Sequence, residues 1–176
     1  MKAASRSLLL LLAVAALVVA LDQVSKLWVV ANLPEYTPVE LFPWLSPLFS
    51  MTYVKNTGVA FGMFPGMGSI ATVLSIGVVI AIFIFHRAIP ATDTWVHLAL
   101  GLVMGGAVGN NIIDRTLHGF VVDFIDVNFW PFRTWPVFNV ADSAIMIGVT
   151  ILLLDSLLRP YPEETEAPAA EEVHGE

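Results

Sequence analysis

Two carboxylates occupy positions that composition alone would not give them. Asp123 interrupts the apolar run Val121-Val122-Asp123-Phe124-Ile125 and has no adjacent basic residue. Asp142 follows Asn139 by three positions at the start of a long apolar stretch. That spacing turns both side chains to one side of a helix. Either carboxylate alone also reads as a surface group or, at Asp142, a helix cap. If the two converge, they form an acid–base pair, because neighbouring carboxylates cannot both ionise cheaply and tend to share one proton. One then acts as base toward water while the other donates to a carbonyl oxygen.

Other polar residues lie within apolar surroundings. Asp22 and Lys26, four apart, share a helix face; they read as a mutually neutralising pair or as groups with a direct role in catalysis or substrate contact. In Gly109-Asn110-Asn111-Ile112-Ile113-Asp114-Arg115, the three-residue spacing of Asn111 and Asp114 puts both on one face of a continuing helix. Arg115 beside Asp114 suggests a bidentate ion pair that holds a loop. The segment Asn56-Thr57-Gly58-Val59-Ala60-Phe61-Gly62 suits a tight turn, either a plain connection or one whose backbone binds an extended peptide. Other chemistries find no residues: His86, His97, His118 and His174 are scattered without metal-ligand spacing. Cysteine is absent, which removes thiolate metal sites, cysteine nucleophiles and disulfides. Neither a metal nor any other cofactor is expected.

The elements that must position these groups follow from hydropathy. The chain has 176 residues, of which 57% are hydrophobic and only 13% charged. That apolar surplus exceeds what one small soluble core can hide. It is concentrated in four stretches, about Leu8–Ala31, Ile70–Ile89, Trp95–Ile113 and Val140–Leu158, each near the ~20 residues that cross a bilayer as a helix. Pro90 to Asp93 link the second and third as a helical hairpin. Gly101, Gly105 and Gly109 form a small-xxx-small stripe for close helix packing. The first stretch resembles a signal peptide up to Ala20, but its helical pattern continues through Leu21, Val24, Leu27, Trp28 and Val30, which predicts an uncleaved span.

Between the spans, two loops rich in proline and aromatic residues suit the headgroup region. Inside them, Phe49–Val54 and Val121–Phe129 predict short strands and a small sheet on the membrane surface. The expected class is therefore mainly α and integral to the membrane, with four helices and a small extracytoplasmic sheet. Lys2, Arg6, Arg87 and Arg159 sit at helix ends on the side that bears both termini, which assigns those termini to the cytoplasm. Residues 1–159 read as one domain. Residues 160–176 hold six of the fifteen acidic residues and no Lys or Arg, and are expected to be a disordered acidic tail. The net charge of −7 and the lack of a basic patch exclude nucleic acid as a partner.

Taken in order, Asp22-Gln23-Val24-Ser25-Lys26, Asn56 through Gly62, Asn111 through Asp123-Phe124, and Phe138-Asn139-Val140-Ala141-Asp142-Ser143 resemble the lipoprotein signal peptidase (signal peptidase II) family. These are bacterial aspartic endopeptidases of the inner membrane. The resemblance runs from about Leu8 to Leu158. It implies that Asp123 and Asp142 are catalytic, and that Asp22, Lys26, Asn56, Gly58, Asn111, Asp114, Arg115 and Asn139 bind substrate or support the site. At one place the pattern departs: counting back from Asp114 selects Asn111 as the site amide, whereas counting forward from Gly105-Gly106 selects Asn110. The spacing to the aspartate favours Asn111.

The implied activity is removal of the signal peptide from a diacylglyceryl-modified prolipoprotein, ahead of the lipidated cysteine. The lipidated precursor and membrane lipid are then the partners, the chain acts as a monomer, and the site faces the extracytoplasmic side. A small transporter or proton-conducting protein would also place acidic groups near a membrane path, and should show internal repeats or broken helices. A non-catalytic membrane assembly factor would be indifferent to the loss of Asp123 and Asp142.

Overall fold

The computed structural model describes residues 2–40, 44–46, 48–58, 66–132 and 135–159, with side chains from residue 5 onward. Helix α1 covers Lys2–Asn32, strand β1 Phe49–Asn56 and helix α2 Gly68–Phe85, which ends in a 3-10 turn at His86–Ala88. Helix α3 (Thr94–Ala107) continues through a π-helical stretch, Val108–Asp114, into the short α4 (Arg115–His118). Strand β2 (Val121–Val127) and helix α5 (Val140–Leu158) complete the chain. Among the described residues, four helical segments are long and apolar enough to cross a membrane: Ser5–Asn32, Gly68–Ala88, Thr94–His118 and Val140–Leu158. The acidic tail and residues 59–62 of the Asn56–Gly62 turn lie outside the described residues.

The third span is central. More than half of it (56%) is buried inside the protein, against at most 28% of any other span. The outer helices turn Leu17, Val24, Val73, Ile80, Leu153 and Leu154 outward. In water that surface would be costly; in hydrocarbon it costs nothing, so helix association depends on close fit instead. The predicted glycine stripe supplies that fit. A Cβ at Gly101 would lie 2.7 Å from the Leu11 carbonyl oxygen, and one at Gly105 2.8 Å from that of Ala15, so only glycine admits the α1 backbone. On another face, Gly106 leaves room for the Ala141 carbonyl of α5.

β1 and β2 pair antiparallel from Phe49 opposite Val127 to Asn56 opposite Val121, with a bulge between Met51 and Val54. Single bridges from Glu35 and Val39 cover the outer edge of β1, and one from Phe138 covers that of β2. Val29 and Leu33 at the end of α1 pack with Tyr53, Val122 and Phe124, which seats the sheet on that helix end. Each strand end differs by two residues from expectation. β1 runs on to Asn56, whereas β2 stops at Val127, opposite Phe49, the first residue of β1. The third span also outlasts its predicted end at Ile113 and closes at Gly119, whose φ of 77° is the left-handed cap that favours glycine.

Candidate active site

The start of α5 organises the site. Asn139 is its N-cap: Oδ1 accepts from the Asp142 N–H (2.9 Å), while Asp142 Oδ2 accepts from the Asn139 N–H (3.2 Å). This reciprocal capping box fixes the Asp142 side chain in the first turn. The remaining amide of Asn139 reaches across to β2, where Nδ2 donates to Asp123 Oδ1 at 2.7 Å. From the end of β1, Asn56 Nδ2 donates to Asp123 Oδ2 at 2.9 Å. Asn56 Oδ1 in turn accepts from the Gly58 N–H (2.9 Å), which holds the turn after the strand. Asn110 Nδ2 donates to Asp142 Oδ1 at 2.8 Å. Each carboxylate is thus aimed by amides from different elements.

Asp123 is only 3% exposed. Burial first, and the charge of Asp142 second, push its carboxyl up to about 7; the bonds from Asn56 and Asn139 and the charge of Lys26 oppose the rise. A proton therefore stays at this pair close to neutral pH.

Behind the pair lies a buried charge cluster. Lys26 Nζ sits 2.6 Å from Asp22 Oδ2, 2.8 Å from Asp114 Oδ2 and 2.6 Å from Asn110 Oδ1. Asp22 Oδ1 accepts from the Ala141 N–H (3.0 Å), satisfying a free donor in the first turn of α5. Gln23 Nε2 donates to Asp114 Oδ1 (2.8 Å), and the Val122 N–H to Asp114 Oδ2 (3.3 Å). A Cβ at Gly109 would come within 2.8 Å of Asp22 Oδ2, so that glycine makes room for the carboxylate. The cluster ties α1 to the π-helical stretch, β2 and α5, the elements that carry the two aspartates and Asn110.

Asp123 and Asp142 both line a cavity of about 530 Å³. Asn56, Asn110, Asn111 and Arg115 add to its polar end, and Leu74 of α2 with Ile145 and Val149 of α5 form an apolar cleft below. Arg115 donates through Nη2 to the Gly58 carbonyl and through Nε to Asn111 Oδ1 (3.0 Å), while Nη1 is buried without a partner among the described residues. Among the described residues, no group of three His, Asp or Glu side chains is placed to hold a metal ion.

The structure gathers every proposed site residue into this one region, but two expected pairings differ. Asn110, not Asn111, contacts Asp142, and Asn111 instead orients Arg115. The three-residue spacing assumed an α-helix; in the wider π turn, Asn110 and Asp114 come onto the same side and both meet Lys26. Arg115 does hold a loop, yet through the Gly58 carbonyl and not through Asp114, whose oxygens are taken by Lys26, Gln23 and the Val122 amide. The sequence reading gave Gln23 no role, although it lies between Asp22 and Lys26.

A sequence model described as signal peptidase (SPase) II matches residues 14–158. A lipoprotein signal peptidase of Shewanella amazonensis is 42% identical over 139 residues, covering 77% of this chain and 79% of the relative. One from Shewanella oneidensis is 39% identical over 164 residues, 91% of each chain. A solved bacterial membrane enzyme, determined by the in meso method at 2.3 Å, superposes with a TM-score of 0.76 at 31% identity over 93% of both chains. With four membrane-crossing helices, a two-stranded sheet and these relatives along most of its length, the chain belongs to the signal peptidase II family and is a multi-pass membrane peptidase.

Proposed function

We propose that the protein is an aspartic endopeptidase that removes signal peptides from diacylglyceryl-modified prolipoproteins, cutting just before the lipidated cysteine, with Asp123 and Asp142 as its catalytic pair. The observation that carries this reading is the convergence of two amide-held carboxylates, one pushed up to about 7, on a single cavity that continues as an apolar cleft between two spans. With one proton on the pair, the ionised carboxylate takes a proton from water as its oxygen attacks the scissile carbonyl carbon. The protonated carboxyl gives its proton to the carbonyl oxygen. Collapse of the resulting diol returns that proton to a carboxylate, and the amide nitrogen leaves with a proton from the pair. The net reaction adds water across the bond.

Arg115 Nη1, a buried donor at the wall of the cavity with no partner among the described residues, is read as the donor to a peptide carbonyl of the substrate. Asp22, Lys26 and Asp114 act behind the pair by fixing the backbone that carries it. The chain is read as a monomer of the bacterial inner membrane with cytoplasmic termini and an extracytoplasmic site. In support, one chain supplies every group of the site, and Arg6, Arg87 and Arg159 cluster at the end of the helices opposite the sheet. Residues 1–159 are read as one domain, with 160–176 as its tail.

Cleavage of a synthetic diacylglyceryl precursor by purified protein tests the proposal. Asp123→Asn and Asp142→Asn are each expected to lose about 10²–10⁴-fold in kcat while remaining folded. Near-normal turnover in either variant would remove that residue from the pair. Equal cleavage of an unlipidated precursor would contradict recognition of the lipid.

A further inference from the structure

Helix α5 separates two cavities. Asp142, Ile145 and Val149 face the cavity already described, whereas Ser143 and Ile147 face a second, of about 320 Å³; Met146 belongs to both walls. The spacing explains the division, since residues 143, 146 and 147 fall on one stripe of a helix and 142, 145, 146 and 149 on the next. Opposite α5, the second cavity is walled by Phe129, Phe132 and Trp135. Their rings stand nearly edge to face, 5.3 Å apart for Phe129 and Phe132 and 5.5 Å for Phe132 and Trp135.

Almost the whole of this wall is apolar. The hydroxyl of Ser143 is turned away to the Asn139 carbonyl (2.9 Å). A peptide entering here would leave its N–H and C=O groups unpaired, which costs several kcal/mol per group in an apolar site. A hydrocarbon chain carries no such groups. The first cavity differs: its polar head is lined by Asn56, Asn110, Asn111 and Arg115, and its apolar part by Leu74 of α2 and Ile145 and Val149 of α5, between two spans, as the end of a membrane-spanning signal peptide requires. Met146 belongs to both walls, and Asp142 and Ser143, adjacent in the chain, each line one of the two cavities; a substrate's lipidated cysteine lies directly after the bond cut at Asp142.

We propose that the groove behind Met146, between α5 and the Phe129–Phe132–Trp135 rings, receives an acyl chain of the diacylglyceryl group on the substrate's cysteine. This rests on the functional reading above. The acyl chain comes from a bilayer as apolar as the groove, so burial as such favours neither place. Selectivity arises from fit against the aromatic rings and from the position that the seated chain imposes on the scissile bond. The remaining acyl chain stays in the lipid.

The test compares two synthetic precursors, one dipalmitoylglyceryl and one diacetylglyceryl, on the same enzyme preparation, so that the ratio of their kcat/KM values is independent of the folded fraction. Ile147→Trp and the milder Ile147→Phe fill the groove from the side of α5 that faces away from Asp142. Leu153→Trp, on the lipid-facing surface of the same helix, is the control. Filling is expected to lower the long-chain to short-chain ratio at least about tenfold for Trp and less for Phe, with the ratio unchanged in Leu153→Trp. An unchanged ratio in both Ile147 variants overturns the acyl-chain assignment, including the case in which both precursors slow equally. If the unaltered enzyme cleaves neither precursor, the functional reading itself fails, which is a separate result.

Discussion

Asn139 donates to the Asp123 carboxylate at 2.7 Å from the cap of the very helix whose first turn carries Asp142. One side chain therefore sets the position of β2 against α5 and aims both carboxylates. Its two functions are separable by substitution. Serine is as good an N-cap as asparagine but has no amide to reach Asp123. Asn139→Ser is expected to keep the cap, to lose kcat by tenfold or more, about the effect of one lost orienting hydrogen bond, and to lose ~1–3 kcal/mol of stability from the buried acceptor left unpaired. Asn139→Ala should lose the same activity and a further ~1 kcal/mol from the lost cap. If Asn139→Ser retained full kcat, the bond to Asp123 would have no part in the chemistry.

Lys26 is one cation between two carboxylates, each of the three at most 4% exposed. Removing it leaves Asp22 and Asp114 facing each other without compensation, a change that typically costs ~3–5 kcal/mol for a broken buried pair. Removing the charge of Asp114 leaves the Lys26–Asp22 pair and the Asn110 amide in place, and Asn at 114 still accepts from Gln23. Lys26→Met is thus expected to be far more destabilising than Asp114→Asn, by about 2 kcal/mol or more. Thermal unfolding of both variants in one detergent checks the order, and a reversed order would mean that the lysine is not the centre of the cluster.

That cluster also shows where a linear reading stops. Asp22 and Lys26 were legible as neighbours because four residues bring side chains together on any α-helix. The four spans were legible because hydrocarbon demands about twenty apolar residues, and the glycine stripe because close helix contact requires small residues. Asp123 and Asp142 stood out because a lone carboxylate in apolar surroundings is costly. The link from Lys26 to Asp114 joins residues 88 apart and depends on how two helices cross, which no local spacing encodes. Asn110 and Asn111 lie four and three residues before Asp114, spacings that both fit a helix face, so local pattern could not choose between them; the fold of the π-helical stretch turns Asn110 to Lys26.

The raised value of Asp123 has consequences of definite sign. Below about pH 7 the pair holds its shared proton; above it, both carboxyls are ionised and the proposed mechanism loses its acid at the carbonyl oxygen. kcat is expected to fall on the alkaline side with a midpoint near 7 and a slope of one. Stability follows the same group. The unfolded chain releases this proton near 3.8 and the folded chain near 7, so its contribution is complete below about 3.8 and is lost as pH rises through 7. Asp123→Asn has no proton to lose. Its thermal midpoint should rise relative to the unaltered protein between pH 4 and pH 8, by an amount on the order of a few kcal/mol in free energy. A gap that stays constant with pH would show that Asp123 titrates normally.

Asn110 and Asn111 are adjacent, alike in size and both at the cavity, so a comparison of the two isolates the geometry from the composition. Asn110 donates to Asp142 Oδ1 and accepts from Lys26, which makes it the connection between the proposed catalytic pair and the charge cluster. Its loss leaves an Asp142 oxygen without a donor and Lys26 without one of its three acceptors. Asn111 bonds to neither Asp123 nor Asp142; it holds Nε of Arg115, the side chain that grips the Gly58 carbonyl and has one donor at the cavity wall without a partner among the described residues. Asn110→Ala is therefore expected to reduce kcat by about 10²-fold, with a destabilisation of ~1–3 kcal/mol from the buried groups left unpaired. Asn111→Ala should act mainly on KM, raising it severalfold as Arg115 loses its orientation toward the substrate backbone, with kcat less affected. Steady-state kinetics on one lipidated precursor separate the two outcomes. The opposite pattern, with kcat lost in Asn111→Ala and retained in Asn110→Ala, would return the site amide to the position that α-helical spacing selects.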